Sequence, residues 1–478
     1  MNKKKILIVI AILIATFFFV YSPHINYRFP IHIDEWHHIT ETLKLGSGEY
    51  QIQGTDGIRT MGFELGFHAI LLPVSRITNL VQTYQFFPAI WAMVSALTLF
   101  LLVYKKTNKF LIGIIAMIFF ASIKTNTNLA GPWFFTPLTF SVPFIFLYLY
   151  LFTEGIEKQN KKFIIWSLII MAFLLPIHAI AVLFAIPFLI IHALFYLDYI
   201  KKEKKFFLSF LAIPIIGAIF YSIMTQTNIF TSIISILKDL QFKTGWGVVE
   251  IKNSFFELYS PIGYILAAFG AIGIFLFQVK PKKFIPYIIL PLTILISIFI
   301  YRLTGTSFLS PYQRNMFYLA ISLPILSAFG TFYIIEIISL KTKKELTKKI
   351  LTILIIAIVA FFTFQSYFFV PERFPIYHAI EEKDYATVDF LSTLPPNSTI
   401  MGWAFISTTI YPISQQNPVA TIFFYGNRSK IREFYGIPNC VNQEKIMKEE
   451  NATYAIFNSQ VPCNWELIYN GENVVYKI

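Results

Sequence analysis

The sequence predicts an α-helical polytopic membrane protein with a small α/β domain at its C-terminal end. Three observations carry this. First, 56% of the 478 residues are hydrophobic, 52 of them Phe, and only 14% are charged; a soluble domain runs near ~25% charged. With a mean hydropathy of +0.62, the chain holds more Ile, Leu and Phe than a water-soluble core could bury. An ordinary soluble enzyme, a disordered chain and a disulfide-stapled secreted module are excluded. Second, long apolar runs alternate with short lysine clusters. Third, the composition changes near residue 370, where a more polar tail begins.

The net charge of +13 does not point to nucleic acid. From Pro371 onward there are 8 Lys and Arg against 11 Asp and Glu, a balance of −3, so residues 1–370 carry 31 against 15, or +16. Those positives sit between apolar runs, where they report topology.

A helix needs roughly 20 apolar residues to cross the hydrocarbon core. Eleven runs qualify as candidate spans: Ile6–Tyr21, Phe86–Tyr104, Phe110–Ser122, Trp133–Phe152, Phe163–Leu175, Ala179–Leu197, Phe206–Met224, Pro261–Val279, Phe284–Tyr301, Met316–Ser339 and Ile350–Phe369. Lysine clusters at 3–5, 105–109, 158–162, 201–205, 280–283 and 341–349 occupy every second connection. The positive-inside rule then puts the N-terminus and these loops in the cytoplasm of a multi-pass cell-membrane protein, and an odd span count makes 371–478 extracytoplasmic. The first span lacks a small-residue cleavage site and is expected to stay as an anchor. Met61–Ile77 is fairly apolar but holds Glu64, His68, Pro73 and Arg76; counting it as a span would invert every later lysine cluster, so an interfacial or re-entrant helix in the first outer loop, 22–85, is expected. Phe163–Leu197 is too long for one span and splits at Pro176–His178.

Within the tail, Asp384–Leu394, Ser429–Tyr435 and Gln443–Glu450 pattern as helices. Thr399–Phe405, Val419–Phe424, Tyr454–Phe457, Glu466–Tyr469 and Val474–Ile478 pattern as strands. This alternation predicts an α/β domain of unread strand order. The chain's 2 cysteines, Cys440 and Cys463, both lie here, as expected of one disulfide in an oxidising compartment. Three acceptor-type sequons, at Asn397, Asn427 and Asn451, also fall in the tail.

The most informative stretch follows the first span: Phe29-Pro-Ile-His-Ile-Asp-Glu-Trp-His-His-Ile-Thr-Glu. Ionisable residues beside a bilayer are costly and ask for a reason. On a helix, Asp34, His37, His38 and Glu41 share one face. A carboxylate held there among apolar groups can serve as a general base. The structural alternative makes Asp34 a helix cap with charges in the first turn.

This stretch, an N-terminal span and then an outer loop opening with an acidic pair, resembles the GT-C superfamily of polytopic glycosyltransferases. That superfamily includes protein O-mannosyltransferases, aminoarabinose transferases and the catalytic subunit of oligosaccharyltransferase. Gly62-Phe-Glu-Leu-Gly-Phe-His-Ala-Ile-Leu-Leu-Pro is similar to their juxtamembrane helix, and Phe86-Phe-Pro-Ala-Ile through Tyr104-Lys-Lys-Thr to their second span and its basic exit. Leu175-Pro-Ile-His-Ala resembles a mid-protein histidine turn, and Arg314-Asn-Met-Phe-Tyr-Leu-Ala a late span opened by arginine.

The resemblance implies a donor sugar on a polyprenyl phosphate or diphosphate and a glycan, lipid or protein acceptor at the outer face. It makes the first-loop Asp, here Asp34 with Glu35 beside it, a base toward the acceptor or a metal ligand. The departing phosphate calls for positive charge; Arg302 and Arg314, which bracket a short outer loop, are the candidates, with His37 and His38 as further substrate contacts. No cofactor is assigned, and a divalent metal on Asp34, His37 and His38 stays open as an alternative. The acceptor-recognition motif of oligosaccharyltransferases is not matched: Ile400-Met-Gly-Trp-Ala-Phe has one Trp and no Asp, and Lys124–Trp133 has no acid for a second metal motif. Thr225–Ser260 offers Asp239, Lys243, Trp246 and Glu250 around a Gly-Trp-Gly turn, without a clear role. A flippase or transporter of polyprenyl-linked sugars is the competing class, and a non-catalytic envelope-glycan assembly factor a third. Nearly charge-free spans without a repeat favour the enzyme.

Overall fold

A computed structural model of the chain describes residues 2–48, 64–126, 129–209, 240–243, 254–277, 281–340, 345–368, 378–422, 428–436 and 439–478, with single positions between 215 and 238 and at 426. It divides into two compact units. One comprises 1–20, 90–133 and 138–370; the other comprises 21–89, 134–137 and 371–478. The tail beyond residue 370 thus belongs to a unit that also takes in the loop after the first span.

The first unit is a bundle of apolar helices, and the chain is a polytopic α-helical membrane protein. In hydrocarbon each backbone N–H and C=O must be satisfied within its own segment, which selects helices. Of the eleven expected spans, six coincide with helices long and apolar enough to cross a membrane: Lys3–His24, Leu80–Thr107, Pro137–Glu157, Lys161–His178, Pro286–Thr304 and Tyr312–Leu340. Three coincide with shorter apolar helices, Phe110–Ala121, Ile180–Leu194 and Pro261–Leu276. Glu345–Phe368 is helical, and Phe206–Met224 lies largely outside the described residues. The span expected from Trp133 begins at Pro137 instead. Proline suits a first helical position, where its missing N–H costs nothing, while the Trp133 N–H is taken by Thr125 Oγ1 at 3.0 Å.

Tyr312–Leu340 is buried along most of its length. It crosses Pro261–Phe277 so closely that a β-carbon added at Gly330 would strike the Leu266 carbonyl, and one at Gly270 the Leu326 carbonyl. Lipid tails are as apolar as leucine, so helices associate in membranes by such close small-residue packing. Several buried polar groups pair across helices: Tyr259 and Ser327 hydroxyls meet at 2.8 Å, and Asn315 Nδ2 donates to Ser297 Oγ at 3.0 Å and Ser310 O at 3.2 Å. Lys106 is enclosed between Glu154 and Glu157, and Glu154 also pairs with Lys158 at 2.5 Å. Strand β1 (Gln241–Lys243) pairs antiparallel with β2 (Thr306–Phe308).

The second unit holds helices α1 (Ile33–Ser47) and α2 (Leu65–Ser75) and the α/β tail. Five short strands, β3 (Thr399–Met401), β4 (Asn417–Pro418), β5 (Tyr454–Phe457), β6 (Glu466–Asn470) and β7 (Val474–Lys477), form one sheet ordered β4-β3-β5-β7-β6. β3 is parallel to β4 and β5, and β7 is antiparallel to β5 and β6. Met401, Phe434, Ile446, Met447 and Ala455 form its core. Cys440 and Cys463 are bridged, their Cα atoms 5.7 Å apart.

Two tail expectations need correction. The strand expected at Val419–Phe424 is instead Asn417–Pro418, because Thr399 and Ile400 pair with Asn417 and Pro418. The strand expected over Thr399–Phe405 stops at Met401, and helix Ala404–Ser414 follows. Its Ile and Thr content disfavours helix locally. Packing overrides this: Ile406 and Ile410 are fully buried, and Ser407 Oγ returns to Gly402 O at 2.7 Å.

Candidate functional site

The acidic stretch folds as a helix start whose first backbone donors, at Ile31, His32 and Asp34, are met by its own side chains. His32, not Asp34, is the cap: its Nδ1 accepts the Asp34 N–H at 3.2 Å. Glu35 reaches back, and its Oε2 accepts the N–H groups of Ile31 at 2.9 Å and His32 at 3.0 Å. This is a capping box with a histidine in the Ser/Thr place. The other oxygen, Oε1, accepts the Phe135 N–H at 2.8 Å, a hundred residues away in sequence. Trp36 Nε1 donates to Pro30 O at 3.0 Å, which fixes the entering turn.

The acidic pair is therefore split. The Asp34 side chain is 31% exposed, with one oxygen 3.5 Å from His32 Nδ1. Glu35 is fully buried. Burial dominates over the N–H donors of His32, Phe135 and Ile31, which pull the other way, and with a smaller upward push from the Asp34 charge the carboxyl is raised to about 8.

The histidines also part. His38 and His68 are buried, with Nδ1 of the first 3.1 Å from Nε2 of the second, and Glu64 Oε2 lies 3.9 Å from the same His38 nitrogen. Burial lowers His68 to about 4 against the pull of Glu64. His37 is half-buried and is likewise depressed by burial, with Glu41, Glu64 and Asp34 opposing. Arg28 pairs with Glu382 at 2.7 Å, and the Tyr27 hydroxyl donates to Ile380 O at 2.9 Å, so this unit ties the first loop to the tail.

In the membrane unit the two arginines differ. The Arg302 guanidinium lies 4.4 Å from the Phe255 ring centroid and donates to the Tyr312 hydroxyl at 2.9 Å. Arg314 is half-buried in the first turn of Tyr312–Leu340 and has no hydrogen bond or ion pair to another described residue. A cation at a helix N-terminus faces the positive end of the dipole. An anion there would be held by both the guanidinium and the helix end.

No protein-family model matches the sequence, and no curated protein matches it. Solved structures do. ArnT from Cupriavidus metallidurans superposes with a TM-score of 0.58 over 98% of this chain and 97% of its own, at 10% identity. The Archaeoglobus fulgidus oligosaccharyltransferase, solved with a tethered acceptor peptide containing an NVT sequon, gives 0.54 over 94% of this chain and 68% of its own, at 12% identity. Both are GT-C membrane glycosyltransferases. The chain has the GT-C fold.

Within this fold the structure brings Asp34 and Glu35 to one helix start and gathers His38, His68 and Glu64 beside it. It does not gather Asp34, His37 and His38 as metal ligands: among the described residues no group of three His, Cys, Asp or Glu forms a ligand set. The Asp34 oxygen lies by His32, whereas His38 Nδ1 is directed at His68. Asp239, Trp246 and Glu250 lie outside the described residues. The sequence did not mark His32 as a cap or Phe135 as a partner of Glu35. A histidine two residues before Asp34 was a weak sign of the former; nothing local could have indicated the latter.

Proposed function

We propose that this chain is a membrane glycosyltransferase that moves a sugar from a polyprenyl-phosphate donor to an acceptor hydroxyl at the outer face of the cell membrane. The GT-C fold, shared with ArnT over almost the whole length of both chains, carries this assignment. Two details support it. Asp34 is a partly exposed carboxylate on an otherwise fixed helix start, as a base must be to meet an incoming hydroxyl. Arg314 is a half-buried cation without a partner among the described residues, as a phosphate contact would be.

In the proposed reaction Asp34 accepts the acceptor's proton as its oxygen bonds to the anomeric carbon of the sugar. The bond from that carbon to the phosphate oxygen breaks, and the released lipid phosphate keeps the electron pair. The test is the full-length protein in lipid nanodiscs with radiolabelled polyprenyl-phosphate sugars and cell-envelope acceptors. Asp34→Asn should lower transfer by ~10²–10⁴-fold with donor affinity little changed. Arg314→Ala should weaken donor binding instead. Transfer by Asp34→Asn at wild-type rate would overturn the assignment of the base.

A further inference from the structure

In sequence Asp34 and Glu35 are an undivided acidic pair; the fold gives them opposite surroundings. Both oxygens of Glu35 are occupied by backbone donors: Ile31 and His32 on Oε2, Phe135 on Oε1. The partners are themselves held. The Phe135 carbonyl accepts the Tyr84 hydroxyl at 2.6 Å, and its ring lies 5.3–5.7 Å from those of Phe67, Tyr84 and Phe87. The His32 ring meets Phe134 at 4.5 Å, while its Nδ1 caps the Asp34 N–H. The backbone on either side of Asp34 is thus anchored to residues 134–135, and of the acidic pair only the Asp34 carboxylate is partly exposed.

We propose that Glu35 is the positioning residue of this site: it draws two backbone N–H groups of its own helix start and one from a segment a hundred residues away to one buried point, fixes the direction in which Asp34 projects, and takes no part in proton transfer. This rests on Asp34 being the base. A base must present a free lone pair to the proton it takes, and Glu35 is closed off by its own donors and fully buried. Glutamine cannot replace it. One amide oxygen cannot meet N–H groups that approach from two sides, and its NH₂ would face at least one of them, donor against donor. A buried donor left unpaired is destabilising. A displacement of even ~1 Å in a reacting group can cost ~10²-fold in rate.

The experiment has three arms, all on full-length protein in nanodiscs. The first needs no variant: carbodiimide with glycine methyl ester, then peptide mass spectrometry. Asp34 should be modified and Glu35 protected; modification of Glu35 in the native protein would overturn the proposal. The second is thermal unfolding. Glu35→Gln should lower Tm by roughly 3–8 °C and Asp34→Asn should leave it nearly unchanged; a Glu35→Gln protein as stable as wild type counts against it. The third is transfer, measured well below the Tm of each variant. Folded Glu35→Gln should lose about tenfold or more in kcat with KM unchanged and the acid limb of the pH profile retained. Wild-type kcat in that variant would reduce Glu35 to a purely structural group. Loss of the acid limb in Glu35→Gln but not in Asp34→Asn would make Glu35 the base. If wild-type protein transfers no sugar, the proposed function fails, and the labelling and unfolding arms still decide whether Glu35 is the enclosed anchor.

Discussion

His38 and His68 meet nitrogen to nitrogen, Nδ1 to Nε2, at 3.1 Å inside the second unit, both rings buried. In the neutral pair one ring donates its N–H and the other accepts. The charged and titratable groups facing His68 are His38, His37 and Glu64. Burial dominates and lowers His68 from 6.5 to about 4. An unfolded chain therefore takes up a proton at higher pH than the folded one. Stability from this site is complete above pH 6.5 and is lost progressively as pH falls toward 4. The full loss amounts to about 3 kcal/mol. Thermal unfolding of the purified protein across this range should give a steeper acid decline for wild type than for His68→Gln; equal slopes would contradict it.

Lys106 and Glu154 form a second buried relationship, in the membrane unit, with side chains 1% and 2% exposed. Glu157 and Lys158 complete a neutral group of four. Removing one partner of a buried pair leaves the other charge uncompensated and typically costs ~3–5 kcal/mol. Lys106→Met should strongly lower the yield of folded protein and its unfolding temperature. The double change Lys106→Met with Glu154→Gln should restore much of both. Wild-type stability in the single variant would show that the cluster contributes nothing.

At the crossing of Pro261–Phe277 with Tyr312–Leu340 a methyl group has no room. Gly330→Ala would drive its β-carbon into the Leu266 carbonyl, a backbone atom that no side-chain rotation can move aside. The helices must separate or shift, at a cost of roughly 1–3 kcal/mol or more. Gly436→Ala, where an added β-carbon meets nothing within 4 Å, is the control. Unfolding in detergent should rank the two variants clearly apart, and equal stabilities would count against a tight crossing.

Much of the bundle was legible because the membrane imposes one rule on every segment. A run of apolar residues in hydrocarbon has to be a helix, so spans such as Phe284–Tyr301 and Met316–Ser339 needed no knowledge of their neighbours. Ala404–Ser414 was not legible. Its Thr and Ile residues favour strand locally, and only burial of Ile406 and Ile410 makes it helical.

The candidate site divides the same way. Sequence alone determined that an acidic pair and two histidines crowd behind the first span, because such residues are rare beside apolar runs and their spacing is local. It also fixed Arg314 at the head of a long apolar segment. Only the tertiary structure decided that Glu35 is buried beneath three N–H groups while Asp34 stays accessible, that His32 is the cap, that His38 faces His68, and that Arg302 is engaged by Tyr312 while Arg314 is not. The partners of His38 and of Glu35 Oε1 lie 30 and 100 residues away in the chain. Those separations carry no local signature, since a side chain's surroundings are set by which distant backbone folds over it.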